Sequence, residues 1–326
     1  MLTLQASVAR IRWWLVLGSM IVLLRPAPAV GGELRFGNLQ TPSGAVGIVG
    51  AELGVWERHG VKVQMLPFTA SINARDALVG GKIDLGITAI PNFLSAAVEA
   101  DAVTIGVAVD QCASTAVMVK PESPVRTVAD LKGKRVASQT ATATYGMFTK
   151  RVLPQAGLKL GDVTLVNIRF QDMVSALLSG SVDAVTVVDP YLSSTEFDKA
   201  ARVVTDFCPY APVPLLLTTT DAVLKRSRDD VTRFLKGWSD AARVFEERPD
   251  QATDIYSRSL KARGYDLPRE VVGRIIRRLN VKVQTLALGA PLVQYFKDEA
   301  EAMSKAGTLA RIPDWARAIQ MLPGGR

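Results

Sequence analysis

The side chains best suited to covalent or metal chemistry are few and far apart in this sequence. His59 is the single histidine, and Cys112 and Cys208 are the only cysteines. Nucleophilic catalysis of the serine or cysteine type needs a histidine beside the nucleophile, and we expect His59 to be exposed at a helix end. Two cysteines and one distant histidine also make a poor metal site. The sequence therefore predicts no catalytic centre, no metal site and no cofactor.

A second set of polar side chains lies in short loops that follow predicted strands and open helices. Open α/β sheets bind ligands outside the carboxyl ends of their strands. A helix that starts there directs free N–H groups and the positive end of its dipole toward the ligand, which favours an anion. The candidate ligand-binding residues are Gln40, Ser43, Thr88, Asn92, Gln139, Thr140, Thr142 and Asp189.

These candidates also have structural alternatives. Gln40 and Ser43 could cap a turn instead of binding a ligand, and residues 139–142 could form a simple helix N-cap. Asp189 could pair with a ligand amine or hydroxyl, or it could cap the helix that starts at Pro190. The residue types alone leave both possibilities open.

The elements that position these loops occur as an internal repeat. Residues 77–91 align with residues 176–190, and each copy reads as a helix end, a glycine cap, a buried strand and a proline that opens the next helix. Within the repeat, Asp84 matches Asp183. Both precede a strand on the side opposite the polar loops, so we assign them to the scaffold.

Strands and helices alternate through both copies of the repeat. This order predicts parallel βαβ units and therefore two doubly wound, Rossmann-like α/β lobes. Residues 45–59 are predicted to form one helix. After about residue 219 the chain becomes helical and has no repeat partner, so we expect this tail to pack on lobe 1. Lobe 1 is assigned to residues 33–111 plus 210–326, and lobe 2 to residues 112–209.

A second short repeat lies where the lobes join. Residues 107–112 (V-A-V-D-Q-C) resemble residues 203–208 (V-V-T-D-F-C), so each cysteine follows the last strand of its lobe. If a pseudo-two-fold axis relates the lobes, equivalent residues beside that axis approach each other. We therefore predict a Cys112–Cys208 disulfide across a two-crossover hinge. Two buried thiols that are too far apart to bond are the alternative.

The first 29 residues have the pattern of a secretory signal peptide. Arg10 and Arg12 precede an apolar run over residues 13–24, and small residues near Ala29 suit cleavage. Twelve apolar residues are too few to span a bilayer. We therefore expect export to the periplasm with cleavage near Ala29, in a compartment where disulfides persist.

The charge of the chain is mildly basic. Lysine and arginine exceed aspartate and glutamate by 39 to 31, which gives +8, and the three arginines of residues 1–29 leave about +5 for the rest. This charge could assist an anionic solute electrostatically. Because no basic run is interleaved with aromatic residues, we expect no nucleic-acid partner.

Five segments in order resemble a known family, the periplasmic substrate-binding proteins of ABC importers. The group in question binds nitrate, aliphatic sulfonates, taurine and thiamine pyrimidine precursors. Residues 77–84 and 176–190 look like its A-L-x-x-G-x-I/V-D segment, and residues 130–136 (D-L-K-G-K-R-V) match its D-L-K-G-K motif. Residues 54–63 and 156–163 also match. One departure is Val187, because the group often carries tryptophan there.

The resemblance implies a periplasmic binding protein fold of type 2, which closes about its hinge on a small-molecule ligand in the interlobe cleft. It also implies a monomer that delivers a sulfonate, taurine, nitrate or pyrimidine-like solute to an ABC permease at the inner membrane. One alternative is an enzyme of thiamine-precursor synthesis on the same fold, although such enzymes need a histidine-rich, cysteine-containing motif. Another is the ligand-sensing subunit of a receptor system.

Overall fold

The computed structural model describes residues 32–140, 142–281 and 288–322. The chain forms two separate five-stranded sheets with helices packed on them, and this confirms the two-lobed α/β fold. We call the sheet that contains the N-terminal strand, with its helices, the first lobe, and the other sheet with its helices the second lobe. The proposed signal peptide, residues 1–29, lies outside the described residues.

The first lobe is built on a mixed sheet with strand order β2-β1-β3-β10-β4. Its strands are β1 Glu33–Leu39, β2 Lys62–Phe68, β3 Leu85–Ala89, β4 Ala102–Asp110 and β10 Pro214–Thr220. β1 runs parallel to β2 and β3, whereas β10 is antiparallel to both β3 and β4. Every residue of β10 is buried, as expected for a central strand.

The second lobe repeats this arrangement with strand order β7-β6-β8-β5-β9. Its strands are β5 Thr115–Val119, β6 Arg135–Ala137, β7 Thr164–Val166, β8 Ala184–Val188 and β9 Arg202–Asp206. β5 is antiparallel to β8 and β9. Each lobe thus receives one antiparallel strand that arrives directly from the other lobe, and the chain crosses between the lobes twice.

The helices fall into three groups along the chain. Those of the first lobe are α1 Ala45–Glu52, α2 Val55–Arg58, α3 Ser71–Val79 and α4 Ile90–Ala100. Those of the second lobe are α5 Ala143–Met147, α6 Leu153–Gln155, α7 Phe170–Ser179 and α8 Tyr191–Phe197, with a π-helical segment Phe148–Val152 between α5 and α6. The C-terminal helices are α9 Asp221–Glu247, α10 Pro249–Ala262, α11 Arg269–Arg278, α12 Ala290–Lys305 and α13 Trp315–Ala318.

The predicted helix over residues 45–59 is broken in two. Gly54 separates α1 from α2 and adopts a left-handed conformation with φ of 60°. Glycine enters this region at little cost because it has no Cβ. The break turns α2, so that Val55 and Trp56 point into the core of the first lobe.

The C-terminal tail packs on the first lobe, as predicted, through an aromatic cluster. The ring of Trp56 stacks on Phe234 of α9 at 5.4 Å between centroids, and its indole nitrogen donates to the Phe234 carbonyl at 3.1 Å. At Gly237 an added Cβ would lie 2.5 Å from the Trp56 ring, so α9 can approach only because this residue is glycine. α12 packs on α4, whereas α11 also reaches α8 of the second lobe.

The repeated aspartates have matching structural roles. Asp84 accepts hydrogen bonds from the backbone nitrogen and the guanidinium of Arg35, at 2.8 to 3.0 Å. Asp183 accepts the same set from Arg135, at 2.8 to 3.3 Å. Each pair ties the start of β3 or β8 to the start of β1 or β6. Both aspartates are therefore scaffold residues, as the repeat predicts.

Cys112 and Cys208 form the predicted disulfide, with their Cα atoms 4.6 Å apart. The two cysteines occupy equivalent turns. Asp110 Oδ1 accepts from the backbone nitrogen of Cys112 at 3.0 Å, and Asp206 Oδ1 accepts from that of Cys208 at 3.0 Å. The bond joins the two crossovers, so the pseudo-two-fold argument holds at this position.

Candidate functional site

The interlobe cleft is bounded by the two crossovers and by contacts between the lobes on two sides. On one side, Arg278 of α11 donates to Ser193 Oγ at 2.7 Å and contacts the Glu196 carboxylate on α8. On the other side, the Tyr295 hydroxyl of α12 lies 3.5 Å from the sulfur of Met147 on α5. The C-terminal helices therefore supply the first lobe's side of both contacts.

The loop after β1 lies beside the first crossover. Ser43 is buried, and its hydroxyl lies 3.1 Å from that of Thr41 and contacts the side-chain amide of Gln111. Gln40 is exposed, with its backbone nitrogen bonded to the Phe68 carbonyl at 2.9 Å. The Gln40 side chain thus remains accessible, whereas Ser43 is held by the hinge.

The loop after β3 is braced within the first lobe. Thr88 is fully buried, and its hydroxyl lies 2.6 Å from that of Thr218 on β10. The Asn92 amide contacts the hydroxyl of Ser71, which also accepts from the Ala89 nitrogen at 2.9 Å. In this conformation both candidate side chains bond to protein groups instead of opening to the cleft.

The loop after β6 opens α5 in the second lobe. Thr142 is the N-cap, because its hydroxyl accepts from the Tyr145 nitrogen at 3.2 Å and donates to the Gln139 carbonyl at 2.7 Å. The Gln139 side chain accepts from the Phe170 nitrogen at 3.0 Å. Thr140 is exposed, and its backbone nitrogen donates to the Asn167 side chain at 3.0 Å.

Asp189 lies directly after β8 and is buried, and one of its carboxylate oxygens has no partner in the described part of the chain. Its Oδ1 accepts from the Ser193 nitrogen at 2.9 Å, so it caps α8, while its Oδ2 has no hydrogen-bond partner in the described part of the chain. Burial raises the pKa of Asp189, although the hydrogen bond from Ser193 and the charge of Arg278 act in the opposite direction. The buried hydroxyl of Ser114 is likewise unpartnered among the described residues. Ser114 is also close enough to the Asp189 carboxyl to act to lower its pKa, so these two buried groups face each other inside the protein.

A cavity of about 540 Å³ lies between α12, the second crossover and the second lobe. Its lining is mostly apolar and aromatic. The lining residues are Val107, Asp110, Arg151, Tyr210, Ala211, Pro212, Pro214, Gly289, Pro291, Leu292, Gln294, Tyr295 and Asp298. None of the eight candidate residues lines it, and Gln40 lines a separate cavity of about 160 Å³ in the first lobe.

Arg151 is the only cation among the described lining residues of this cavity. It lies in the π-helical segment, and its guanidinium carbon is 5.5 Å from the centre of the Tyr295 ring. Within the described ranges it forms no hydrogen bond or ion pair. Single π turns in helices often occur at functional sites. Sequence reasoning missed this pair because no spacing relates residue 151 to residue 295.

His59 has a structural role in the first lobe. Its Nε2 lies 2.8 Å from Asp240 Oδ2 on α9, and the imidazole is partly buried, whereas the sequence predicts an exposed side chain. Over the described ranges, no three His, Cys, Asp or Glu side chains cluster as metal ligands would. Helices in the same ranges are either too short or too polar to cross a membrane.

The NMT1/THI5-like family profile matches residues 42–252, which is more than half of the chain. The chain belongs to the NMT1/THI5-like family. Two relatives share the name "Putative aliphatic sulfonates-binding protein". The one from Escherichia coli is 36% identical over 146 residues, which is 44% of this chain and 46% of that protein. The one from Bacillus subtilis is 28% identical over 255 residues, which is 75% of this chain and 73% of that protein.

A solved structure extends the similarity of this NMT1/THI5-like chain to both lobes. The periplasmic aliphatic sulphonate binding protein SsuA from Escherichia coli superimposes with a TM-score of 0.75 and covers 89% of this chain and 93% of its own. Its sequence identity is 24%, so this likeness shows the fold alone. The periplasmic binding protein architecture implied by the sequence motifs is confirmed.

Proposed function

We propose that this chain is an extracytoplasmic solute-binding protein that captures a small organic anion or zwitterion between its lobes and delivers it to an ABC permease. The observation that carries the proposal is the cavity between the lobes, which residues of both lobes and of a crossover line. A cleft between two domains is a common place for a small-molecule site. The two relatives named for sulfonate binding support the same conclusion.

An anionic group suits the charges that face the cleft. α5 begins in the cleft loop after β6, and the positive end of a helix dipole favours an anion. Arg151 adds a guanidinium that matches a sulfonate or carboxylate with two parallel hydrogen bonds. Asp110 and Asp298 line the same cavity as Arg151 and could accept from an amine of the ligand, so a zwitterion such as taurine also fits the proposal.

Binding without turnover is the role that the described side chains favour. The single histidine is bonded to Asp240 on α9 of the first lobe and not to a nucleophile. The cysteines are consumed in the disulfide. An NMT1/THI5-like enzyme of thiamine-precursor synthesis would need histidine and cysteine. In this chain the histidine is bonded to Asp240 and both cysteines form the disulfide.

A solute-binding protein of an ABC importer works outside the cytoplasm, so the proposed role requires export. The signal-peptide pattern of residues 1–29 supports a periplasmic location, and the disulfide is consistent with an oxidising compartment. A periplasmic binding protein of this kind works as a monomer that presents its closed form to the permease.

Thermal-shift screening of the purified protein tests the proposal directly. A ligand that binds only the folded state raises the melting temperature by mass action. We expect a rise with at least one of the following: alkanesulfonates, arenesulfonates, taurine, nitrate, aromatic acids or pyrimidines. The proposal is wrong if none of them raises it. Uptake of the labelled ligand by cells with and without the gene then separates delivery to a permease from sensing.

A further inference from the structure

The geometry points to an anion with an aromatic body as the ligand of the 540 Å³ cavity, with Arg151 binding the anionic group and Tyr295 and Tyr210 packing on the ring. An arenesulfonate is the simplest member of this class. The inference rests on the proposed function and sharpens it, because it selects among the sulfonates, nitrate and pyrimidines that the fold alone leaves open.

The size of the cavity argues against the smallest anions. Pockets of about 300–1,000 Å³ hold drug-sized organic ligands, and this cavity lies within that range. Nitrate or methanesulfonate would occupy a small part of it and leave apolar walls without contacts. A one-ring sulfonate brings enough surface to cover those walls.

The walls are suited to a flat apolar group. Two tyrosines and three prolines present rigid faces, and Val107 and Leu292 add aliphatic surface. Aromatic rings pack on tyrosine faces with a gain beyond the area they bury, about 0.5–1.5 kcal/mol per pair. A short alkyl chain does not gain this contribution.

Arg151 gives the cavity its charge preference. Its guanidinium carbon lies 5.5 Å from the centre of the Tyr295 ring, a contact that uses none of its N–H donors. A sulfonate could therefore accept two hydrogen bonds from it while the attached ring packs beside Tyr295.

The two acids that line the cavity accept hydrogen bonds from protein groups. Asp110 Oδ1 accepts from the backbone nitrogens of Cys112 and Val213, at 3.0 and 2.8 Å. Asp298 accepts from the Gln294 side chain at 2.9 Å. Burial raises the pKa of Asp110 despite those two hydrogen bonds. Both acids thus have protein partners, whereas the donors of Arg151 have none within the described ranges.

Calorimetric titration with p-toluenesulfonate and with methanesulfonate tests the inference. The wild-type protein should bind p-toluenesulfonate at least about tenfold more tightly. Arg151→Gln should weaken the binding of p-toluenesulfonate by about tenfold or more, because it removes a charge-assisted hydrogen bond to the sulfonate. Lys150→Gln removes the same charge from the neighbouring, exposed residue and should change the affinity less than about twofold.

Tyr295→Leu separates the ring contact from the charge contact. It should reduce the preference for p-toluenesulfonate over methanesulfonate several-fold, because the sulfonate keeps Arg151 while the ring loses its tyrosine. An equal loss for both ligands would indicate a general defect in lobe closure and would overturn the aromatic assignment.

The remaining outcomes distinguish the two proposals. If a small sulfonate binds and neither Arg151→Gln nor Tyr295→Leu alters the affinities, this inference is wrong and the proposed function stands. If p-toluenesulfonate binds no more tightly than methanesulfonate, the aromatic class is likewise excluded. Failure of every anion, including those of the thermal-shift screen, would remove the proposed function itself.

Discussion

Arg278 on α11 contacts Glu196 on α8 and so joins the C-terminal tail of the first lobe to the second lobe. The two side chains are each about one-fifth exposed, at 22%, and Arg274 lies 3.8 Å from the same carboxylate. The same guanidinium of Arg278 also bonds Ser193, whose backbone nitrogen is held by Asp189. A contact between the lobes is thus linked directly to the buried carboxyl of Asp189.

We expect this ion pair to favour the closed arrangement of the lobes. Glu196→Gln removes the charge from the contact, and a partly buried pair is worth about 1 kcal/mol, so ligand affinity should fall about fivefold. The reason is that a less populated binding-competent state lowers the apparent affinity. Calorimetry of Glu196→Gln measures the effect. Glu99→Gln is the control, because Glu99 pairs with Arg75 inside the first lobe; an equal loss in both variants would contradict the closure role.

The repeated Asp–Arg pairs predict a difference in stability between two chemically identical substitutions. The Asp84 side chain is 3% exposed and that of Asp183 is 36% exposed. Removing one partner of a buried pair costs about 3–5 kcal/mol, whereas an exposed pair contributes about 1 kcal/mol or less. Asp84→Ala should therefore lower the free energy of unfolding by about 3 kcal/mol and Asp183→Ala by about 1 kcal/mol. Urea denaturation of both variants measures this, and equal losses would be inconsistent with the burial argument.

The same pairs predict part of the acid sensitivity of the fold. Burial acts to raise the pKa of Asp84, but the hydrogen bonds and charges of Arg35 and Arg226 outweigh it, so the pKa is lowered. For Asp183, the hydrogen bond from Arg135 is the main cause of the lowered pKa. A lowered carboxyl pKa gives stability that is present above the unfolded value of about 3.9 and is lost as pH falls through the folded value.

Urea denaturation between pH 7 and pH 2.5 checks this pH dependence. The wild-type protein should lose stability steeply below about pH 4. Asp84→Asn should show a shallower loss over the same window, because it has no charge to protonate at this position. Asp101→Asn is a control on the surface of the first lobe, where Asp101 pairs with Arg317 at 3.0 Å. Parallel curves for wild type and Asp84→Asn would contradict the role of this carboxylate.

The sequence predicts the scaffold well because short local patterns encode it, and these patterns occur in both lobes. Each repeat encodes a helix end, a strand and an aspartate, and Asp84 and Asp183 occupy the positions that the alignment implies. The cysteine repeat predicts the disulfide for the same reason. Because the two lobes are related, each of these elements can be recognised from two copies of its pattern.

The antiparallel strands β5 and β10 were not predicted as central strands. Their place depends on the crossovers, because a strand that enters from the other lobe runs opposite to strands that follow a helix. From the sequence, residues 213–219 are only the stretch before the helical tail, and no element is assigned to residues 115–119. Both runs are short and apolar, and periodicity alone does not say which sheet such a run joins or in which direction. The order of strands in a sheet depends on the path of the whole chain, so these short runs do not predict it.

The sequence points to only some of the residues around the interlobe contacts, for a similar reason. Loops that follow strands mark the ends of the sheets, and Asp189 lies directly after β8. The first lobe's side of these contacts comes from the C-terminal helices, which have no repeat partner. Arg278 and Tyr295 reach the cleft only after α11 and α12 fold back across the first lobe, so no local pattern marks them.

The buried Asp189 carboxyl is predicted to lower the stability of the protein at neutral pH. Burial raises its pKa, so the charged form is disfavoured in the folded protein. The cost is present at pH values above the folded pKa and disappears below the unfolded value of about 3.9. Asp189→Asn keeps an oxygen to cap α8 and should raise stability at pH 7.5 by about 1 kcal/mol, with no gain at pH 3.5. Thermal unfolding at both pH values measures this; a gain at both would contradict the ionisation argument.

The disulfide should be the largest single covalent contribution to stability. It closes a loop with a sequence separation of 96 residues, for which chain entropy gives about 4–5 kcal/mol. The double variant Cys112→Ser, Cys208→Ser should lose about that amount of the free energy of unfolding. Reductant should destabilise the wild-type protein by a similar amount and leave the double variant unchanged. Intact mass after alkylation without reductant should show no modified cysteine. Two alkylated thiols in protein purified from the periplasm would contradict the disulfide.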